Sequence, residues 1–192
     1  FTPQGGSVLP KTGFGLLLRA IKDHSMICCG TSEKDGLKKI FPWKLEYSAF
    51  DRCWWLLAYD INTKSIERIF LGEHVHIMEA GAPPIPYGEI QKEIPVALEK
   101  HRYKGIRLHI TDRYNALKRC FLMFENEEIT ASKYISDGEY EMVFDTMDYY
   151  KTEIVRKLMY LGENVVLTEG PAGLKEELLE KMHAAGAATT IE

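Results

Sequence analysis

The chain has 192 residues, 45% of them apolar and 11% aromatic, with a net charge of -4. That supplies a core for one large domain or two small ones. No run approaches the roughly 18 apolar residues of a membrane span, and the start lacks the basic flank and apolar stretch of a signal peptide, so the chain reads as soluble and cytoplasmic with no membrane partner. The charge is uneven: residues 1 to 80 hold ten Lys/Arg against nine Asp/Glu, and residues 101 to 192 hold twelve against sixteen. An anionic ligand is better sought in the first half.

Residues 1–11 open with F-T-P-Q-G-G-S-V-L-P and read as a linker or the frayed edge of something upstream. From Thr12, a capping residue, Phe14, Leu17, Leu18 and Ile21 recur at helical spacing and predict a short helix ending near His24. Strands are expected over Ser25 to Cys29, Leu37 to Tyr47, Arg52 to Asp60 and Ser65 to Met78. Turns are expected at Glu33-Lys34-Asp35-Gly36 and at Asp60-Ile61-Asn62-Thr63-Lys64. A helix and four or five antiparallel strands predict a small β-barrel over 12–80. Four cysteines without C-x-x-C spacing read as reduced, mostly buried thiols.

The stretch G-A-P-P-I-P-Y-G, Gly81 to Gly88, can neither continue a helix nor pair inside a sheet. It opens a proline-rich connector and bridging helix over 81–102, in which Pro95 is expected to sit in the first turn or to divide the helix. Beyond it, Gly105 to Thr111 alternates as a half-buried strand, Thr111 or Asp112 caps a helix, and Asp137-Gly138 joins Ile129 to Ser136 with Glu139 to Met147. Asp148 to Gly162 forms a helix, Glu163 to Thr168 a strand and Pro171 to Ala185 a last helix, with Leu174, Leu178 and Met182 in line. The order β-α-β-β-α-β over 103–187, before a tail at 188–192, is the ferredoxin-like arrangement, so the predicted fold class is α+β.

Chemistry concentrates in R-C-W-W-L-L-A-Y-D, Arg52 to Asp60, and E-R-I-F-L-G-E-H-V, Glu67 to Val75. If the second run stays regular, Arg68, Phe70 and His74 share a face and Gly72 leaves room for a ligand backbone. Arg68 offers a planar fork for phosphate, and Trp55 a face on which a base stacks. Lys38 or Lys39 adds a second cation. Adjacent residues of a strand face opposite ways, so Trp54 reads as core and Trp55 as the exposed partner. The bland alternative pairs Arg68 with Glu46 or Glu67 on a wet sheet face. His74 and His76 make an H-x-H that no acidic or cysteine cluster completes, and His24 beside Cys28 and Cys29 lacks an orienting group. Glu125, Glu127 and Glu128 read as a solvated turn. With no Walker loop, nucleophile elbow or H-E-x-x-H helix, neither an enzyme nor a cofactor is expected.

The block from Lys38 to Val75 resembles the WYL-domain proteins. Their Trp-Tyr-Leu tripeptide stands here as Trp54-Trp55-Leu56 and continues into Leu57-Ala58-Tyr59-Asp60. Lys38 and Pro42 match the family's upstream basic residue and proline, and Arg68-Ile69-Phe70 its Arg-x-Phe strand. The resemblance implies a small Sm-like or SH3-like barrel that senses a nucleic-acid-like ligand, single-stranded DNA or a nucleotide, followed by a C-terminal WCX extension through which the proteins form homodimers. It implies the ligand-sensing part of a bacterial transcriptional regulator, with duplex DNA read by a helix-turn-helix domain that these residues do not contain, or through a partner. Lys38, Trp55, Arg68 and His74 are the ligand-binding residues so implied. Three departures bear on this: Trp55 stands for the usual Tyr, His74 for a second Arg, and a residue near Cys29 for a tyrosine of the first strand. The competing reading is a protein- or peptide-binding module.

Overall fold

The strands pair into two antiparallel sheets, giving a mixed α+β fold in the computed structural model, which describes residues 13–31 and 36–189. The linker at 1–11, the Thr12 cap and most of the Glu33–Gly36 turn lie outside the described residues. The chain divides into two units, Phe1–Lys100 and His101–Glu192.

In the first unit, helix α1 (Phe14–Asp23) leads into β1 (Met26–Gly30), β2 (Lys38–Ser48), β3 (Cys53–Asp60), β4 (Ser65–Phe70) and β5 (His76–Gly81), and ends in α2 (Tyr87–Lys100). The sheet order is β4-β3-β2-β1-β5. α1 buries Leu17 and Ala20 while Leu18 stays exposed, and closes where His24 takes a left-handed conformation. Its buried side chains join Ile27, Ile40, Leu56, Ala58, Leu71, Val75 and Ile77 in one core cluster. Burying these apolar side chains, at about 1.5–3 kcal/mol each, is the main force fixing the sheet against the helix.

Two turns show how the sequence places β3. Asp51 N–H donates to the buried Ser48 Oγ at 3.1 Å in the turn before it. After it, Asp60 Oδ1 accepts from the backbone N–H groups of Asn62 at 2.9 Å and Thr63 at 3.3 Å, the side-chain turn expected there. β2 carries a bulge between Pro42 and Lys44, where a proline offers no N–H to the ladder.

Two expectations are corrected here. The single strand from Ser65 to Met78 is two: β4 stops at Phe70, and a turn through Glu73 and His74 precedes β5. Gly72 lies at that break, its carbonyl accepting from Val75 N–H at 3.1 Å. A Cβ built there would lie 2.5 Å from the Phe70 ring, so the ring folds back over the glycine and takes the room expected for a ligand. Pro95 neither opens nor divides α2, which runs through it. Pro95 and Gln91, the residue one turn earlier, are both exposed, so the missing backbone hydrogen bond falls on the outer side of the helix.

The second unit runs β6 (Arg102–Thr111), α3 (Ala116–Met123), β7 (Glu128–Ser136), β8 (Glu139–Met147), a 3-10 turn, α4 (Lys151–Leu161), a second 3-10 turn, β9 (Val165–Glu169) and α5 (Ala172–Thr189). Its sheet order is β7-β8-β6-β9. Ile106, Leu108 and Ile110 of β6 and Met142 and Phe144 of β8 are fully buried against Ile154, Val155 and Leu158 of α4. Asp112 Oδ1 accepts from the N–H of Leu117, the second residue of α3, at 3.0 Å, so it supplies the expected side-chain cap from three residues before the Asn115 cap position, while Tyr114 stands exposed instead of joining the stripe. The acidic loop is more than a solvated turn. Glu127 lies 3.4 Å from Lys157, a lysine buried on α4 that Glu153 also meets at 3.2 Å, and Glu128 pairs with Arg102. A lysine held in an apolar core needs such carboxylates.

Candidate functional site

Register decides which residues of β3 meet the neighbouring strands. Trp55 stands opposite Glu46 of β2 and Phe70 of β4, and Leu57 stands opposite Arg68. Directly opposed residues share a face, so Trp55, Glu46, Arg68 and Phe70 lie together on one side of the sheet. Trp54 points to the other side, where it packs on the core cluster and meets the Tyr47 ring at 5.2 Å.

On the Trp55 side the Arg68 guanidinium lies over the indole with its central carbon 4.2 Å from the ring centroid. The Phe70 ring meets Trp55 edge-on at 5.4 Å and is 44% exposed. Arg68 is buried, with 6% of its side chain exposed, and its Nε stands 3.9 Å from Glu46 Oε2. Glu46 in turn takes Lys44 at 3.2 Å. The Trp55 indole N–H is buried without a hydrogen-bond acceptor among the described residues. A flat cation, two aromatic faces and an unused donor therefore converge within one strand pair. Such a set binds planar anions and bases.

Of the residues expected to bind ligand, the structure brings Trp55 and Arg68 together and sets the other two apart. Lys38 reaches across the sheet end to Asp60 at 2.7 Å and also pairs with Glu67. Burial works to lower its pKa, but hydrogen bonds to these two carboxylates outweigh it and hold the amine above its usual 10.5. Both partners were visible in the sequence, but their convergence depends on β2-β3-β4 register, which no local pattern encodes. His74 sits exposed in the turn after β4, so the expected shared face with Arg68 fails. A face alternates only along an unbroken strand, and β4 ends four residues earlier.

The remaining candidates resolve toward structure. His24 stacks on Tyr87 of α2 with ring centroids 3.6 Å apart. All four cysteines are free, and burial, with Cys28 adjacent, pushes the Cys29 thiol up to about 11, opposite to what a nucleophile needs. His76 lies on β5, apart from the His74 turn, and no cluster of three metal-binding side chains occurs among the described residues. Among the same residues no helix is long and apolar enough to cross a membrane.

No protein-family model and no curated protein sequence matches the chain. Among solved structures it is similar to proteasome accessory factor B/C (PafBC) of Arthrobacter aurescens, with a TM-score of 0.41 and 17% identity, over 95% of this chain and 29% of that one. It is also similar to a protein described as CRISPR Cas-related, with a TM-score of 0.51 and 9% identity, over 92% of this chain and 52% of the other. This chain thus spans less than a third of the first protein and about half of the second. The second likeness is one of fold.

Proposed function

We propose that this chain is the ligand-sensing part of a bacterial transcriptional regulator of the WYL type. Its first unit is then a small Sm- or SH3-like barrel that takes a single-stranded oligonucleotide or a nucleotide, and its second a ferredoxin-like WCX domain that forms a homodimer. The observation that carries this reading is the Arg68 guanidinium lying on the Trp55 indole beside the exposed Phe70 ring. The strand order of the first sheet behind its N-terminal helix supports the barrel, and the β-α-β-β-α-β succession supports the second fold.

In this reading a base stacks at Phe70 and Trp55 while a phosphate oxygen takes the Arg68 fork from Glu46. Lys38, already held by two carboxylates, braces the sheet end, and His74 stands at the rim. Ligand then shifts the populations of two states of the dimer, provided it binds one more tightly, and duplex DNA is reached through an attached or partner domain. The role is cytoplasmic and needs neither catalysis nor a cofactor.

The test is binding of a fluorescent single-stranded oligonucleotide, at low and high salt, to the wild type, Arg68→Ala and Arg68→Lys, with circular dichroism to establish that each is folded. Affinity is expected to fall as salt rises, to vanish in Arg68→Ala and to weaken in Arg68→Lys, which keeps the charge and loses the plane. Binding that ignores salt or survives Arg68→Ala overturns the assignment and favours a peptide-binding module.

A further inference from the structure

The second unit carries an apolar groove of about 590 Å³ that the sensing mechanism does not use. It runs between α4, β9 and α5, with Leu158 and Val165 buried in its lining and Met159, Val166, Leu179 and Met182 exposed along it. Val165 and Leu167 lie on one face of β9 and Val166 on the other, yet all three line the groove. The groove therefore wraps the edge of the strand instead of lying on one face of it.

That edge is open. β9 ends the sheet and, among the described residues, pairs only with β6, so its outer backbone groups have no strand beside them. The two ends of this sheet are built differently. β7, the opposite end strand, is exposed along nearly its whole length and, although Tyr134 and Ile135 stand exposed on it, carries Glu128 and Lys133, charged side chains of the kind that keep an edge from pairing. β9 begins Val-Val-Leu and has no such guard before Thr168. An apolar edge beside an apolar groove suits an occupant that brings both backbone hydrogen-bonding groups and alternating side chains, which a helix, bonded within itself, does not.

Charge at the two ends fixes where the occupant's own charged groups lie along β9. Lys175 Nζ donates to Thr168 O at 3.0 Å at the far end of β9 and has donors to spare, while Glu163 lines the groove at the near end. We propose that the groove binds an extended apolar peptide segment of a partner protein, added to β9 as a parallel strand, with a basic residue toward Glu163 and an acidic residue or terminal carboxylate toward Lys175. This stands on different residues from the sensing site and does not depend on it.

The full chain would be titrated with a short fluorescent peptide, Val-Ile-Val-Leu preceded by Arg and followed by Asp. Three controls accompany it: a peptide with Arg and Asp exchanged, one N-methylated at every backbone nitrogen of the Val-Ile-Val-Leu core, and the protein variant Leu179→Glu, an exposed position whose change leaves the core intact. The proposal expects saturable binding, weakened about tenfold or more by Leu179→Glu, with further losses for the exchanged and N-methylated peptides. Equal binding of the N-methylated peptide overturns strand addition. Absence of binding by the folded wild type overturns the site, and sedimentation then identifies a second copy as the occupant if Leu179→Glu turns a dimer into a monomer.

Discussion

β3 presents two faces that look alike in composition and differ in use. On one, Trp54, Leu56 and Ala58 close onto the α1 core, with Tyr47 and Ile69 as apolar neighbours. On the other, Trp55 meets Glu46, Arg68 and Phe70. The tryptophans are chemically identical and adjacent, so strand parity alone separates them. What each one does is then set by the strands on either side, which supply hydrocarbon to Trp54 and a guanidinium to Trp55. A desolvated cation over an indole contributes roughly 2 kcal/mol, enough to hold an arginine that would otherwise seek water.

The two faces are expected to respond differently to truncation. Trp54→Ala is expected to cost about 3 kcal/mol in urea unfolding, as removal of a core aromatic does, without touching ligand affinity. Arg68→Ala is expected to cost about 2 kcal/mol, below the roughly 3–5 of a fully enclosed pair because Glu46 retains some contact with water, and to abolish anion binding. Arg107 of β6 sharpens the point. It too lies between glutamates, Glu141 at 2.6 Å and Glu169 at 3.1 Å, but it is 36% exposed, and no aromatic ring of the described residues lies beneath it. Arg107→Ala should therefore cost less than Arg68→Ala in the same measurement.

Much of this face was legible in the sequence, because two adjacent tryptophans in a strand must part and because the Asp60 to Lys64 run has turn chemistry. The expected order of elements in the second unit holds for the same reason: Ile106, Leu108 and Ile110 alternate, and Asp137-Gly138 forces a hairpin. What alternation and turn chemistry do not carry is packing and register. The Phe70 ring packs over Gly72, two residues on, just where β4 gives way to the His74 turn, and no alternation of residue types encodes that contact. Lys38 read as a ligand for phosphate because Asp60 and Glu67 are far away in sequence and reach it only through register. Likewise Leu174, Leu178 and Met182 fall in line on the last helix, but helical spacing does not show that only Leu174 is fully buried and that the other two line a groove.

The far end of β3 extends the comparison to acids. On the core face, burial raises the Asp60 pKa, but the Lys38 amine and the N–H groups of Asn62 and Thr63 outweigh it and hold the carboxyl below its ordinary 3.8. Below that value the unfolded chain binds more protons than the folded one, so this contribution is present above it and lost as pH falls through the folded pKa. Lys38, shifted upward, gives the mirror case: its contribution is present below 10.5 and lost as pH rises through the folded value. Urea midpoints followed from neutral pH into acid should therefore drop less steeply for Asp60→Asn than for the wild type. Equal slopes would remove Asp60 from the acid response.

On the opposite face Tyr59 is fully buried, and its hydroxyl donates to Glu93 Oε2 of α2 at 2.6 Å. Burial first, and then the carboxylate that accepts its proton, push the phenol well above its ordinary value of 10.0. An upward shift makes the contribution complete below that value and lost as pH rises through the folded pKa. In an ultraviolet titration of the folded protein, Tyr59 should lag the exposed tyrosines, such as Tyr114 and Tyr160. Glu93→Ala removes the smaller cause and leaves the larger, so the lag should shorten without vanishing. A full return to ordinary tyrosine behaviour would mean that the acceptor, and not burial, governs the Tyr59 phenol, while no change at all would mean that Glu93 does not take part in raising its pKa.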